Sequence, residues 1–207
     1  MKIIEPSIEI LSEINGPETL KVIERAGRTC YKSEGGITDT SAPAFVSRLI
    51  ERGHEAMLEH APAISIKFVC DRGVSHEIVR HRLFSFAQES TRYCNYSKDR
   101  FNSELTFIKP CFWAEADDAY SVWLNAMEAA ERAYFELLNT CKAIPEQARS
   151  VLPVSVKTEL VVTGNAREWR HFFKLRTDKA AHPQMRQSAD MALKAVRGRV
   201  GVLFEDI

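Results

Sequence analysis

No stretch of the 207-residue chain approaches the roughly 18 consecutive apolar residues of a membrane-spanning helix. The opening residues Met1-Lys2-Ile3-Ile4-Glu5-Pro6 lack the apolar run of a signal peptide. Charge of one sign is missing too: Lys+Arg and Asp+Glu both number 28, for a formal net charge of zero. A protein living on nucleic acid or a membrane surface usually carries a basic excess, so any anionic ligand has to be met by a local cluster. Cysteine is sparse: Cys30, Cys70, Cys94, Cys111 and Cys141 are odd in number, widely spaced and never C-x-x-C. That excludes a disulfide framework and suits reduced thiols in a cytoplasm. No Gly-x-Gly-x-x-Gly occurs, so a Rossmann dinucleotide site is not indicated. The segment from His54-Glu55 to Glu59-His60 fails as a metal helix, because Leu58 holds the i+4 place where a second histidine belongs; His76-Glu77 fails likewise, with Arg80 at i+4. No metal site is expected. Repeats, low-complexity tracts and linkers are absent, which leaves one domain over 1–207.

What is present is an ordinary globular share of hydrophobic residues, 45%, enough for a substantial core. Ile3, Ile4, Ile8, Ile10 and Leu11 suggest an opening extended segment. Pro17 after Asn15-Gly16 marks a helix start, followed at helical spacing by Leu20, Ile23, Ala26, Gly27 and Cys30. A second helix begins at Ser41-Ala42-Pro43, with Phe45, Val46, Leu49 and Ile50 as its stripe and Gly53 as its terminator. Residues 61–70 alternate: Ile64, Ile66, Phe68 and Cys70 share one face of a half-buried strand. Asp71-Arg72-Gly73 reads as a turn, and 73–82 as a short helix with Val74, Ile78 and Val79 inward. A loop is expected from Leu83 to Tyr93 and a weak strand from Leu105 to Ile108. Residues 117–142 form the strongest helix, with Ala119, Val122, Trp123, Ala126, Met127, Ala130, Ala133, Tyr134 and Leu137 at helical spacing. A short helix over 146–152, a strand over 154–163, a helix over 166–175 and a last helix over 184–204 complete the chain. Helices and strands mix without βαβ regularity, so the fold class is α+β.

The stretch Arg80-His81-Arg82-Leu83-Phe84-Ser85-Phe86-Ala87-Gln88-Glu89-Ser90-Thr91-Arg92-Tyr93 carries the chemistry. Arginine offers a fixed fork of donors suited to phosphates and planar carbonyl groups. Ser90 and Thr91 add hydroxyls, and Phe84 and Phe86 can pin the segment to a core. Taken singly, Arg-His-Arg also reads as a solvated helix end. The whole pattern is more specific: Arg-His-Arg, seven residues, Ser, and Arg two beyond it.

That pattern resembles the signature of the flavin-dependent thymidylate synthases. Three further segments resemble the family in the same order: Gly53-His54-Glu55 with Glu59-His60; Ala148-Arg149 with Val151-Leu152-Pro153; and Asn165-Ala166-Arg167 with His171 and Leu175-Arg176. The resemblance covers nearly the whole chain. It implies FAD contacts by Ala56, Arg80, His81, Arg82, Gln88, Asn165, Ala166, Arg167 and His171. It implies deoxyuridylate (dUMP) contacts by Glu77, Ile78, Val79, Arg80, Gln88, Glu89, Ser90, Thr91, Arg92, Arg149 and Arg176. Arg176 is the implied catalytic residue, facing the uracil and helping to ionise or polarise N3. The implied reaction is reductive methylation of dUMP to dTMP: NADPH reduces FAD, methylenetetrahydrofolate gives its one-carbon unit, and reduced flavin supplies the hydride. The implied assembly is a homotetramer with sites shared between subunits. Three positions vary or depart from the family pattern. Some members have glutamine at the Glu77 position, glutamate also occurs at the Gln88 position, and Ala56 replaces a common threonine, which leaves its backbone for the flavin.

The residues make chemical sense apart from the resemblance. A nucleotide phosphate wants forked cations and loop N–H donors, which Ser90, Thr91, Arg92 and Arg149 offer. Electron density developing on a uracil carbonyl wants a fixed positive charge, and Arg176 can supply it. Redox chemistry belongs to the cofactor, while the protein binds, orients and screens it. No cysteine is expected as nucleophile; Cys94, beside the motif, reads as a packing residue. Two other classes fit parts of the chain. Arg80, Arg82, Arg92, Tyr93, Phe84 and Phe86 suit a single-stranded nucleic-acid-binding module, against which the neutral charge counts, and a flavin reductase without methyl transfer uses the same cofactor residues.

Overall fold

The computed structural model describes residues 1–98 and 101–207. By packing, the chain forms two compact units, each assembled from separate stretches. The first comprises Met1–Ser7, Phe68–Arg80 and Ala87–Leu160; the second comprises Ile8–Lys67, His81–Phe86 and Val161–Ile207. A four-stranded sheet has the order β2-β3-β6-β4, with β2 Ser7–Ile10, β3 Ile64–Asp71, β4 Ser85–Gln88 and β6 Lys157–Gly164. The chain passes between units within β2, β3, β4 and β6. The mixed content of helix and sheet is the α+β class expected.

In the first unit, β1 (Lys2–Ile4) pairs in parallel with β5 (Thr106–Ile108), Ile3 opposite Phe107. An antiparallel bridge joins Phe107 to Val156. The long helix α4 (Asp118–Asn139) lays Tyr120, Trp123, Met127, Tyr134 and Leu138 into a core with Leu105, Phe107 and Val156. Trp123, Met127 and Tyr134 are members of the expected inner face, and its edge is corrected. Val122 is 70% exposed, and Ala119 and Ala126 face out. The bulky aromatics bury far more area per residue than alanine, so they set the helix's rotation and the alanines fall on the neighbouring arc. A second correction concerns Asp71, which does not begin a turn. It is the N-cap of α3 (Arg72–Ile78), its Oδ1 accepting from Val74 N–H at 2.6 Å. An aspartate there satisfies an orphan donor and meets the positive helix end. The helix stops at Ile78, where the Val79 N–H turns back to Ser75 and Glu77 carbonyls. Arg80-His81-Arg82 therefore lies beyond the helix, and the expected loop after it contains β4. Helix α5 (Pro145–Ala148) runs into a 3-10 turn at Arg149–Val151.

The second unit holds α1 (Gly16–Thr29), capped by Asn15, and α2 (Ala42–Glu51). Val46 is the fully buried member of the expected α2 stripe, while Phe45, Leu49 and Ile50 are half-buried. Gly53 ends the α2 segment at φ +71, its N–H on the Ile50 carbonyl at 2.9 Å; only glycine takes that conformation without strain. A 3-10 turn follows at Glu55–His60. β3 alternates as its spacing predicts, Ile64, Ile66, Phe68 and Cys70 buried and the residues between half-buried. Helix α6 (Ala166–Arg176) buries Trp169, Phe172 and Phe173 completely, each worth about 1.5–3 kcal/mol on the area scale. Helix α7 (Pro183–Val200) packs Met185, Ala189, Ala192 and Val196 into the same core. Among the described residues no helix is long and apolar enough to cross a membrane.

Gly164 ends β6 under the Phe84 ring. A Cβ there would lie 2.2 Å from Phe84 Cδ1, and Phe84 is itself held against Trp169 with ring centroids 4.5 Å apart. Gly164→Ala should destabilise the protein by about 1–3 kcal/mol through overpacking. Urea denaturation checks this, with an unchanged midpoint as the contrary result.

Candidate active site

The motif residues in the first unit gather around α3, the end of β4 and the segment after it. Ile78 is fully buried, so its side chain serves the core, while Glu77 and Val79 are half-buried and Arg80 is exposed. Gln88 closes β4 and donates from Nε2 to Ser75 Oγ at 2.9 Å and Thr158 Oγ1 at 3.2 Å. Glu89 is occupied as well. Its carboxylate accepts from Tyr96 O–H at 2.7 Å, from Lys157 Nζ at 3.0 Å and from the Glu159 N–H at 3.2 Å. Burial works against the Lys157 charge, but Glu159 and Glu89 outweigh it and raise its pKa. Burial first, then Glu89, pushes the Tyr96 phenol well above its ordinary value. Glu89 therefore anchors the Ser90–Arg92 turn, and what it offers a ligand is geometry.

In that turn the Ser90 carbonyl accepts from the Tyr93 and Cys94 N–H groups, and Ser90 Oγ accepts from Arg92 N–H at 3.3 Å. Thr91 is buried. Cys94 packs at the edge of the aromatic core. Arg92 Nε donates to Glu146 Oε2 at 3.0 Å, both side chains about half exposed (48%). A cleft of about 430 Å³ is lined by Arg72, Thr91, Glu146, Arg149, Ser150 and Leu152. It joins Thr91 and Arg149, which are 58 positions apart, 149 less 91. Arg72 was not singled out by sequence reasoning. One guanidinium nitrogen donates to the Glu89 carbonyl at 3.0 Å, and Nε is buried with no hydrogen-bond partner. The signal for it was weak: an arginine directly after a strand.

In the second unit, Ala56 lies exposed in the Glu55–His60 turn. That turn is tied to α6 twice: Arg167 donates to Glu59 Oε1 at 2.6 Å, and Glu55 Oε1 accepts from Arg170 and Lys174. Asn165 is the N-cap of α6, its Oδ1 accepting from Glu168 N–H at 3.0 Å. Ala166 is fully buried, while Arg167 and His171 are exposed. Arg176 ends the helix and donates from Nε to His81 Nε2 at 3.0 Å. His81 is only 7% exposed, in edge contact with Phe172 at 5.0 Å and His171 at 5.9 Å between centroids. Arg82 is exposed. So the structure brings His81, His171 and Arg176 together, and the Ala56 turn against Asn165–Arg167. Exposed Arg167 and His171 beside the half-buried Asn165 cap give this helix a surface of forked and planar polar groups suited to phosphates. Among the described residues no cluster of three or more histidines, cysteines or carboxylates could hold a metal.

Burial, then the Arg176 cation and His171, lower the His81 pKa from 6.5 to about 4. The unfolded chain binds the extra proton between those values, so stability should fall as pH drops from 6.5 towards about 4 and level off below. Denaturation at stepped pH checks this against His81→Gln, which should lose less stability over that window than the parent. Equal losses would place the histidine in contact with water.

Comparison with known proteins adds the following. A family model described as thymidylate synthase complementing protein matches residues 9–200. A flavin-dependent thymidylate synthase from Corynebacterium aurimucosum is 36% identical over 205 residues, covering 91% of this chain and 80% of the relative. One of the same description from Geobacter sulfurreducens is 33% identical over 207 residues, covering 96% and 85%. Among solved structures, a UMP/dUMP methylase from Streptomyces cacaoi bound with 5-Br dUMP superposes with a TM-score of 0.80. It is 23% identical and covers 99% of this chain and 96% of that one; at that identity the likeness speaks to the fold.

Proposed function

The chain belongs to the flavin-dependent thymidylate synthase family, and from that premise we propose that it methylates dUMP reductively to dTMP. FAD is the flavin, NADPH the reductant and methylenetetrahydrofolate the one-carbon donor, with 1–207 acting as one domain in a cytoplasmic homotetramer whose sites are shared between subunits. The observation that carries the reading is the meeting, within one compact unit, of residues as far apart in sequence as His81 and Arg176, hydrogen-bonded at 3.0 Å.

Each group has a defined task. Arg149, Thr91, Arg92 and the Ser90 turn receive the nucleotide phosphate with forked donors and N–H groups. Arg80, Glu77, Ile78, Val79, Gln88 and Glu89 complete the set that receives dUMP, Ile78 by its backbone alone. Ala56, Arg82, Asn165, Ala166, Arg167 and His171 receive the flavin nucleotide, Ala166 through its helix-terminal backbone, with Arg80, His81 and Gln88 at its margin. Bound FAD supplies hydride chemistry that no side chain offers. Arg176 sets a fixed positive charge against the uracil N3–C4 edge, where charge develops as C5 attacks the one-carbon unit.

Two measurements test the assignment. The purified protein should be yellow, and Arg82→Ala and His171→Ala should weaken flavin retention, read as flavin absorbance per subunit after gel filtration. Unchanged retention in both would remove the cofactor from this surface. Arg176→Lys keeps the charge but loses the planar fork and should raise the barrier by ~2–4 kcal/mol. Turnover at the parent rate under saturating dUMP would refute the role.

Assembly is tested by complementation. Arg80→Ala and Arg176→Ala should each be nearly inactive alone. Mixed under subunit-exchange conditions, with hybrids verified by native mass, they should recover part of the activity if sites are shared between subunits. Hybrids that form and stay inactive would assign both arginines of a site to one chain.

A further inference from the structure

Arg176 does not choose its own direction. Its Nε donates to His81 Nε2 at 3.0 Å. A guanidinium has only donors and keeps its protons in proteins, so the imidazole nitrogen must be the acceptor. An accepting Nε2 carries no proton, which leaves the ring neutral with its hydrogen on Nδ1. A protonated His81 would instead set two cations against each other at hydrogen-bond distance.

The acceptor is itself immobilised. His81 is buried, with its ring against Phe172 at 5.0 Å, His171 at 5.9 Å and Phe84 at 6.2 Å. Phe84 is in turn packed on Trp169 at 4.5 Å, and Trp169 Nε1 donates to the Ile64 carbonyl at 3.0 Å. A chain of rigid contacts thus runs from β3 through two aromatic rings to the imidazole. It ends on the one nitrogen of Arg176 whose direction fixes the plane of the whole guanidinium. Arg176 closes its helix, with the Thr177 N–H still bonded to Phe173.

We propose that His81 is a positioning residue for Arg176: its neutral Nε2 accepts the Arg176 Nε–H and sets the plane in which the guanidinium meets the uracil edge. This rests on the reading of Arg176 as the uracil-facing group. It gives the middle residue of Arg-His-Arg a task distinct from that of its neighbours. The two arginines are exposed, available to anions, whereas the histidine is turned inward and spends its ligating nitrogen on another side chain. A ligand that meets His81 at its margin meets the ring and Nδ1–H.

The test uses the flavin-loaded full-length protein. Imidazole ¹⁵N NMR, assigned with His81→Gln, should show His81 as the Nδ1–H tautomer with unprotonated Nε2 at neutral pH. An Nε2–H tautomer, or a protonated ring, overturns the proposal by itself. The groups facing the ring, Arg176 and His171, are probed in the same spectra. Kinetics supply the second arm, as rates per bound flavin at saturating dUMP. His81→Ala should lower kcat by about 10²-fold, the scale of a misplaced catalytic group, with a much smaller change in KM. His81→Gln offers an amide oxygen as acceptor and should recover most of that loss. His81→Ala combined with Arg176→Lys should be no slower than the worse single variant, because both act on one interaction. Multiplying losses in the double variant, or a glutamine variant no better than alanine, would overturn the coupling. Arg176→Lys at the parent rate would remove the reading of Arg176, and this proposal with it, even when the tautomer is as expected; a wrong tautomer removes the proposal and leaves that reading standing.

Discussion

A guanidinium with no exposure to water organises the second unit. Arg170 is completely buried, and a charge there is tolerated only when paired and hydrogen-bonded. It donates to both carboxylate oxygens of Asp206 at 2.7 Å, to Glu55 Oε1 at 3.1 and 3.2 Å and to the Leu203 carbonyl. Burial opposes its charge, yet Asp206 and Glu55 hold its pKa above the usual value. Burial also disfavours the Glu55 carboxylate, and Lys174 and Arg170 overcome that to lower its pKa. Removing one partner of such a set costs about 3–5 kcal/mol, because the remaining charge is stranded. The consequence is positional. The Glu55–His60 turn, α6 and the segment after α7 become one block, and Ala56, Arg167 and His171 inherit fixed places from it.

Much of the fold was legible in the sequence where one physical signal dominated. Pro17, Pro43 and Gly53 punctuate α1 and α2, the alternation of Ile64, Ile66, Phe68 and Cys70 marks β3, and Asn165 before an apolar run marks α6. β4 was not legible, because Ser85, Ala87 and Gln88 are exposed and Phe86 half-buried. A strand without one buried face has no alternation to read, and its existence depends on its sheet neighbour. The end of α3 was equally silent. Arginine is a good helix former, so nothing in Arg80-His81-Arg82 signals a stop; the chain leaves the helix because His81 is buried against Phe172. In α4 the periodicity was right and so were Trp123, Met127 and Tyr134, and only the edge of the stripe at Ala119, Val122 and Ala126 was misplaced, since alanine fits either face and the aromatics decide.

For the site, residue types were legible and pairings were not. Glu89 was legible as a site residue, whereas its partners Lys157 and Glu159 lie 68 and 70 positions on. His81 looked like a flavin contact, and its partner Arg176 lies 95 positions away. Arg72 was invisible because its interest lies in a buried Nε without a partner, which no local pattern announces. The basic-groove reading loses force. The chain carries no basic excess, and its family membership favours the enzyme.

Zero net charge and the proposed anion-binding surface are compatible because of how the exposed arginines are kept. Arg92 pairs with Glu146 at 48% and 48% exposure, and Arg167 pairs with Glu59 at 49% and 48%. Pairs this open to water are worth about 0–1 kcal/mol, far below the Arg170 set. They neutralise the surface in the long range and restrain each guanidinium at short range. A phosphate or diphosphate that displaces the carboxylate gives up little and gains forked, charge-assisted bonds. The two classes of arginine thus divide the work by burial alone. Arg170, sealed and multiply bonded, holds the architecture, and Arg92 and Arg167, loosely paired at the surface, stay exchangeable. Arg176 stands between them: half-buried, with its Nε on the neutral imidazole nitrogen of His81. That bond fixes the direction of a guanidinium through an acceptor that carries no charge.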